Sequence, residues 1–226
     1  MDVFRAIVER KSIRKFEKKE VDDKLIGVIL YMATMAPSAG NTQEWNFIVV
    51  KEEEIKKKLA KAALDQNFIA EAPVVIVVCA DLEKISLRYG KRGELLYSIQ
   101  DTALAIQNIL LSAHALGLGS CFVGAFDEER VKSILELPDN LRPVAIIPIG
   151  YPAEQPEKPR RINFENLTWL NKYGRKLELA LAVQPGEVKI DYPKPIGNII
   201  EDAIKKSKKV KKERLTFEEF LKRLAK

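Results

Sequence analysis

Arg10-Lys11-Ser12-Ile13-Arg14 places three cations and a hydroxyl within five residues. A phosphate group carries about −1.5 to −2 charges, and guanidinium forks match its oxygens two at a time. Arg10 and Arg14 are four residues apart, so on a helical turn they share a face. The same residues would also suit the solvated end of a surface helix. Pro37-Ser38-Ala39-Gly40-Asn41-Thr42-Gln43 is a run of small and amide residues. Each amide offers donors and an acceptor, which could read the edge of a polar heterocycle. An ordinary helix-to-strand turn has a similar composition. Pro159-Arg160-Arg161 brings further cations late in the chain, either for the same anion or as plain surface charge.

Other chemistries are excluded by what the chain lacks. Gly117-Leu118-Gly119-Ser120-Cys121-Phe122-Val123-Gly124 resembles a dinucleotide fingerprint, but Phe122 occupies a position that requires glycine. That fingerprint also follows a strand and opens a helix, whereas this run closes one. No phosphate-binding Walker loop is present. The single histidine, His114, leaves Ser-His and Cys-His catalysis no other base and rules out a two-histidine zinc helix. It sits in an apolar helical run with no orienting acid beside it, so it is expected to pack rather than to catalyse. Two cysteines are too few for a disulfide framework or a cysteine-based zinc site. Cys79 ends an apolar run and is expected to be a buried small hydrophobe. No metal site is expected.

The elements that must carry these residues follow from periodicity. Val3, Ile7 and Val8 mark one face of a helix over residues 2–11, and a second helix runs from Val21 to Met35, with Pro37 at its end. Trp45 to Val50 reads as a strand and Glu52 to Leu64 as a helix. The β-branched run from Pro73 to Ala80 reads as a central strand buried on both faces. Leu82 to Tyr97 is ambiguous. Asp101 to Leu116 is a long helix, apolar nearly all round, which Gly117 and Gly119 end. A short helix over Glu128–Leu135 and a buried strand over Val144–Ile149 follow. Three prolines between Pro152 and Pro159 then impose an extended connector. Strands alternating with helices indicate an α/β or α+β fold with a covered sheet, and the helix between the second and third strands is long enough for a crossover.

The chain has 226 residues, 46% hydrophobic and 31% charged, which suits a globular core with a charge-rich surface and argues against disorder. No apolar run approaches the roughly 18–20 residues of a membrane span. The charged N-terminus lacks a signal peptide's features, so the chain is read as soluble and cytoplasmic. Net charge is +6 but uneven: Lys176–Lys226 holds 13 basic against 8 acidic residues, leaving 25 against 24 elsewhere. A nearly neutral body does not suit nucleic-acid binding. Abundant Lys and Glu with few Cys, Met and His resembles a thermophile's surface.

Together, in this order, these segments resemble the FMN-dependent nitroreductases. The resemblance runs from about Val3 to Tyr173. Its pieces are ERKSIRKF, MAPSAGNTQEWNFIVV, APVVIVVCAD, DTALAIQNILLSAHALGLGSCFVGAFDEERV, PVAIIPIGYP and PRRINFENL. It implies an α+β fold: a mixed central sheet flanked by helices in an intertwined homodimer, with flavin sites lined by both chains. It implies a flavin-binding domain over residues 1–175. The basic extension over residues 176–226 would pack on the body or the partner subunit, or dock an acidic partner or membrane surface.

By the same resemblance, Arg10, Lys11 and Ser12 would hold the FMN phosphate and ribityl end, with Arg160 and Arg161 completing the clamp. Arg14 would lie nearer the ring's N1 and C2 carbonyl edge. Pro37, Ser38, Ala39 and Asn41, with Gln43 close by, would come from the partner subunit and line the ring. Val123, Gly124 and Ala125 would pass its N5 and O4 edge. Arg14 and the Gly124 backbone would act directly in catalysis. The implied activity is hydride transfer from NADH or NADPH through FMN to a small acceptor, nitroaromatic, quinone or similar, by a ping-pong mechanism. Residues 85–97 fall where that family varies and covers the flavin, and would form either a lid on the substrate side or a plain surface connector. Reductive dehalogenation and flavin fragmentation share the fold as alternatives, as does a flavin-containing module that docks partners through its basic tail.

Overall fold

β-Branched residues stiff at χ1 favour extended chain, and the first five residues of Val74–Asp81 (β2) are all of this kind. The computed structural model, which describes residues 3–176, places this strand inside a four-stranded sheet. The order is Trp45–Val50 (β1), β2, Leu141–Gly150 (β4) and the two-residue Gly119–Ser120 (β3). All three pairings are antiparallel, and a single bridge between Ser12 and Ser120 adds a parallel contact. The α+β class expected from the sequence is the one observed. The helix between the second and third expected strands is no parallel crossover, however, because β2 and β4 are antiparallel neighbours. The sequence reading also missed β3, which is too short to show a period.

Both faces of the sheet are covered, and the alternation along β2 divides the core. Val74, Ile76 and Val78 face Asp23–Thr34 (α2) and Ser98–Ala115 (α6), where they meet Ile29, Ala105, Ile106 and Ile109. Val75, Val77 and Cys79 face Glu53–Ala62 (α3), Phe68–Glu71 (α4) and Glu128–Leu135 (α7), where they meet Leu59, Ile69 and Val131. Cys79 is fully buried, and burial pushes its thiol up to about 12. Asp22 caps α2 by accepting from Lys24 N, and Asp127 caps α7 by accepting from Arg130 N.

Two expectations change. The N-terminal helix is Val3–Glu9 (α1) and stops before Arg10, so Arg10 and Arg14 share no helical face. The tertiary cause is the pairing of Ser12 with Ser120, which holds this segment extended. The ambiguous Leu82–Tyr97 is helical: Leu82–Arg92 (α5), broken where Gly90 takes φ +53°, then one π-helical turn over Gly93–Tyr97. Among the described residues no helix is long and apolar enough to cross a membrane, and no group of three or more His, Cys, Asp and Glu could hold a metal.

The chain divides into two compact units, Met1–Pro159 and Arg160–Lys226. The described part of the second has a 3-10 turn over Phe164–Leu167, a bridge between Trp169 and Lys176, and Trp169 against Tyr173 with ring centroids 4.5 Å apart. The extension from residue 177 onward lies outside the described residues.

Candidate functional site

The cationic segment is fixed by its backbone. Ile13 N donates to Ser120 O at 3.0 Å, and the Ile13 side chain is buried. This close approach needs glycine next door, since a Cβ on Gly119 would stand 2.8 Å from three Ile13 side-chain atoms. Arg14 N and Lys15 N both donate to Glu154 Oε1, at 2.6 and 3.1 Å. Lys11 Nζ donates to Pro156 O at 2.7 Å. Arg10, Lys11 and Ser12 are thus half-buried and Arg14 is exposed. Among the described residues, neither the Arg10 nor the Arg14 guanidinium has an ion-pair partner. Arg14 lies 5.9 Å from the centroid of the Phe68 ring.

A cavity of about 310 Å3 opens here, lined by Arg10, Lys11, Ser120 and His114 among others. Two buried atoms beside it, Ser120 Oγ and His114 Nε2, have no hydrogen-bond partner among the described residues. Burial lowers the His114 pKa first of all. The Glu9 carboxylate opposes that shift, while the Arg10 and Lys11 cations add to it. An uncharged imidazole beside two cations can donate to an anion or accept from a hydroxyl. His114 therefore packs in α6, as expected, yet also borders the cavity. That second role had no sequence signal beyond its being the lone histidine.

The turn after β3 runs alongside. Val123 and Ile146 exchange both backbone hydrogen bonds, at 3.0 and 2.9 Å, which anchors the turn on β4. The next two amide N–H groups, of Gly124 and Ala125, have no acceptor among the described residues. Phe122 is 48% exposed, and its ring covers Gly124 so closely that a Cβ there would lie 2.8 Å from it. Cys121, buried behind this turn, has its thiol pushed up by burial, while Arg14, Ser12 and Arg10 act in the opposite direction. The structure thus brings Arg10, Lys11, Ser12 and Arg14 together with Val123, Gly124 and Ala125. These cations, orphaned polar atoms and free N–H groups fit a phosphorylated, carbonyl-bearing heterocycle such as FMN.

The structure does not bring Pro37–Gln43 to these residues within one chain. Trp45 lies opposite Ala80, Ala80 opposite Arg142, and Ser120 opposite Ile149, so the two parts sit about 23 Å apart along the strands and about 14 Å across them. Instead the loop is held by its own neighbours. Ala39 N donates to Asp101 Oδ2 at 2.8 Å, and Gln43 N donates to Ser38 Oγ at 2.9 Å. The α5 helix grips it as well: Arg88 Nη1 donates to Gly40 O at 2.6 Å and Lys84 Nζ to Gln43 O at 2.9 Å. Gly40 takes φ +54°, with Tyr89 and Arg88 filling the space where a Cβ would be. Pro37, Asn41 and Gln43 are exposed. Arg160 and Arg161 are exposed at the start of the second unit.

The family model described as "Nitroreductase family" matches residues 7–70 and 63–151. A protein of Methanothermobacter thermautotrophicus, provisionally named NADH dehydrogenase/NAD(P)H nitroreductase, is 42% identical over 176 residues, which cover 73% of this chain and 87% of that protein. An FMN reductase [NAD(P)H] of Bacillus subtilis is 27% identical over 81% of this chain and 79% of its own. The crystal structure of a nitroreductase family protein from Streptococcus pneumoniae superposes with a TM-score of 0.70 at 26% identity, covering 75% of this chain and 100% of that one.

Proposed function

Because the chain belongs to the nitroreductase family and is an NAD(P)H-dependent flavin oxidoreductase, we propose that its flavin is FMN and that it reduces small acceptors, nitroaromatics, quinones or similar, in a ping-pong cycle. The observation that carries the site is the Ser12–Ser120 bridge, which sets the cationic segment beside a turn with free N–H groups. When bound, FMN supplies the two-electron chemistry, accepting a hydride from NADH or NADPH and passing it on.

The chain's own residues bind and orient. Arg10, Lys11 and Ser12 hold the phosphate and ribityl end, with Ser120 Oγ and His114 Nε2 as further polar partners. The Gly124 and Ala125 N–H groups donate to the ring's polar edge. Arg14 stabilises the negative charge that reduction places on the ring, as a fixed cation does best in a dry site.

Pro37, Ser38, Ala39, Asn41 and Gln43 reach the site from a second copy, since one chain holds them at a different part of the sheet. Exposed apolar side chains on the helices support that homodimer. Phe4 is 78% exposed on α1, Tyr31 60% on α2 and Leu104 45% on α6, more than an isolated body would leave to water. The face marked by Val3, Ile7 and Val8 is likewise uncovered in the single chain.

Arg14 gives the test. Arg14→Gln is expected to lower the two-electron potential of the bound flavin by about 30 mV, equivalent to about 1.4 kcal/mol, with a smaller effect on affinity. A potentiometric titration of the full-length, flavin-loaded protein reads it. An unchanged potential removes Arg14 from the ring.

A further inference from the structure

Glu44 lies between the Pro37–Gln43 loop and β1, fully buried, and neither carboxylate oxygen has a hydrogen-bond partner among the described residues. A buried carboxylate without a donor does not persist; it takes up a proton instead. The groups around it come from three elements. From α6 it faces Asp101, itself buried, whose Oδ2 accepts the Ala39 N–H of the loop at 2.8 Å. From α5 it faces Lys84, whose ammonium is spent on Gln43 O. From β2 it meets backbone: Asp81 N donates to Glu44 O at 2.8 Å, while the Asp81 carboxylate accepts from Lys84 N and Asn140 Nδ2. Two neighbouring carboxylates in so dry a place cannot both be charged, and a single proton between them supplies the donor Glu44 lacks.

We propose that Glu44 keeps a proton and donates it to Asp101, and that this shared proton locks the Pro37–Gln43 loop onto α6 in the form that meets the flavin. Asp101 accepts on both sides, from the Glu44 hydroxyl and from Ala39 N–H. When the proton leaves to water, Glu44 and Asp101 repel and the loop loses its tether to α6. Burial first, and then Asp101, push Glu44 up to about 7; the nearby amide of its own backbone and the Lys84 charge pull it down. Glu44 is thus a positioning residue for the flavin, a role that rests on the function proposed above.

The test compares the full-length protein with Glu44→Gln, whose amide donates to Asp101 at every pH. In the flavin-free wild type, the folded chain keeps a proton between about pH 4.5 and 7 that the unfolded chain has given up. Its unfolding constant should therefore rise up to about tenfold per pH unit relative to the variant over that window, then run level above it. The FMN dissociation constant of the wild type should weaken by up to about tenfold per pH unit above about 7 and that of the variant should not. Titration of the FMN phosphate, near pH 6, is common to both and cancels.

Parallel stability profiles would overturn the shared proton. Split stability profiles with parallel FMN profiles would overturn the positioning role. No FMN binding at any pH by either protein would overturn the functional reading and the positioning role with it, while the stability profiles would still decide the proton. Should the variant not fold, the infrared carbonyl stretch of a protonated carboxyl in the wild type, expected at about pH 6 and lost by about pH 8, reads the same proton, and its absence at the lower pH overturns the proposal.

Discussion

The Arg10→Ala variant is expected to bind FMN more weakly by about 2–5 kcal/mol, roughly 30- to 5,000-fold in dissociation constant. Arg10 is half-buried at the cavity and has no ion-pair partner among the described residues, so its guanidinium is available to an incoming dianion. Truncation removes that charge-assisted fork and leaves the phosphate facing Ser120 and His114 without its main counter-charge. Arg10→Lys should recover only part of the loss, because an ammonium restores a point charge but not the fork. Fluorescence titration of the full-length chain measures both, and an unchanged dissociation constant in Arg10→Ala would take this residue out of the site.

Ile147→Ala is expected to cost about 2–5 kcal/mol of stability through its lost burial and the cavity left behind. For a chain of this size that corresponds to a fall of about 4–20 °C in the unfolding midpoint. Ile147 is fully buried on β4, pairs with Ile76 on β2, and belongs to the core beneath α2 and α6. Those two strands hold both parts of the candidate site in register, so the core sets the distance between them. A thermal melt of the flavin-free protein showing a loss under about 1 kcal/mol would mean that the site collapses around the smaller side chain.

What the sequence disclosed follows from which forces act locally. The β2 run was legible because a strand buried on both faces needs apolar residues at every position. The helices α2 and α7 were legible from their pattern, and the end of α2 from Pro37. The helical reading of Arg10–Arg14 failed because a partner more than a hundred residues away, Ser120, holds the segment extended.

The loop Pro37–Gln43 was legible as a turn rich in amides, but its distance from the cations depends on strand register, which no local pattern encodes. The α5 helix was obscured by Gly90, which breaks it. Glu44 gave no signal at all. A single acid before an apolar strand looks like a surface residue, and only packing shows it buried against Asp101.

One measurement bears most directly on the account. The full-length chain, loaded with FMN and freed of oxygen, receives NADH or NADPH with no acceptor present. The visible flavin absorbance is expected to bleach with one equivalent of at least one of the two reductants, and a quinone added afterwards to restore it. A chain that takes up no flavin, or a bound flavin left coloured by both reductants, would contradict that expectation.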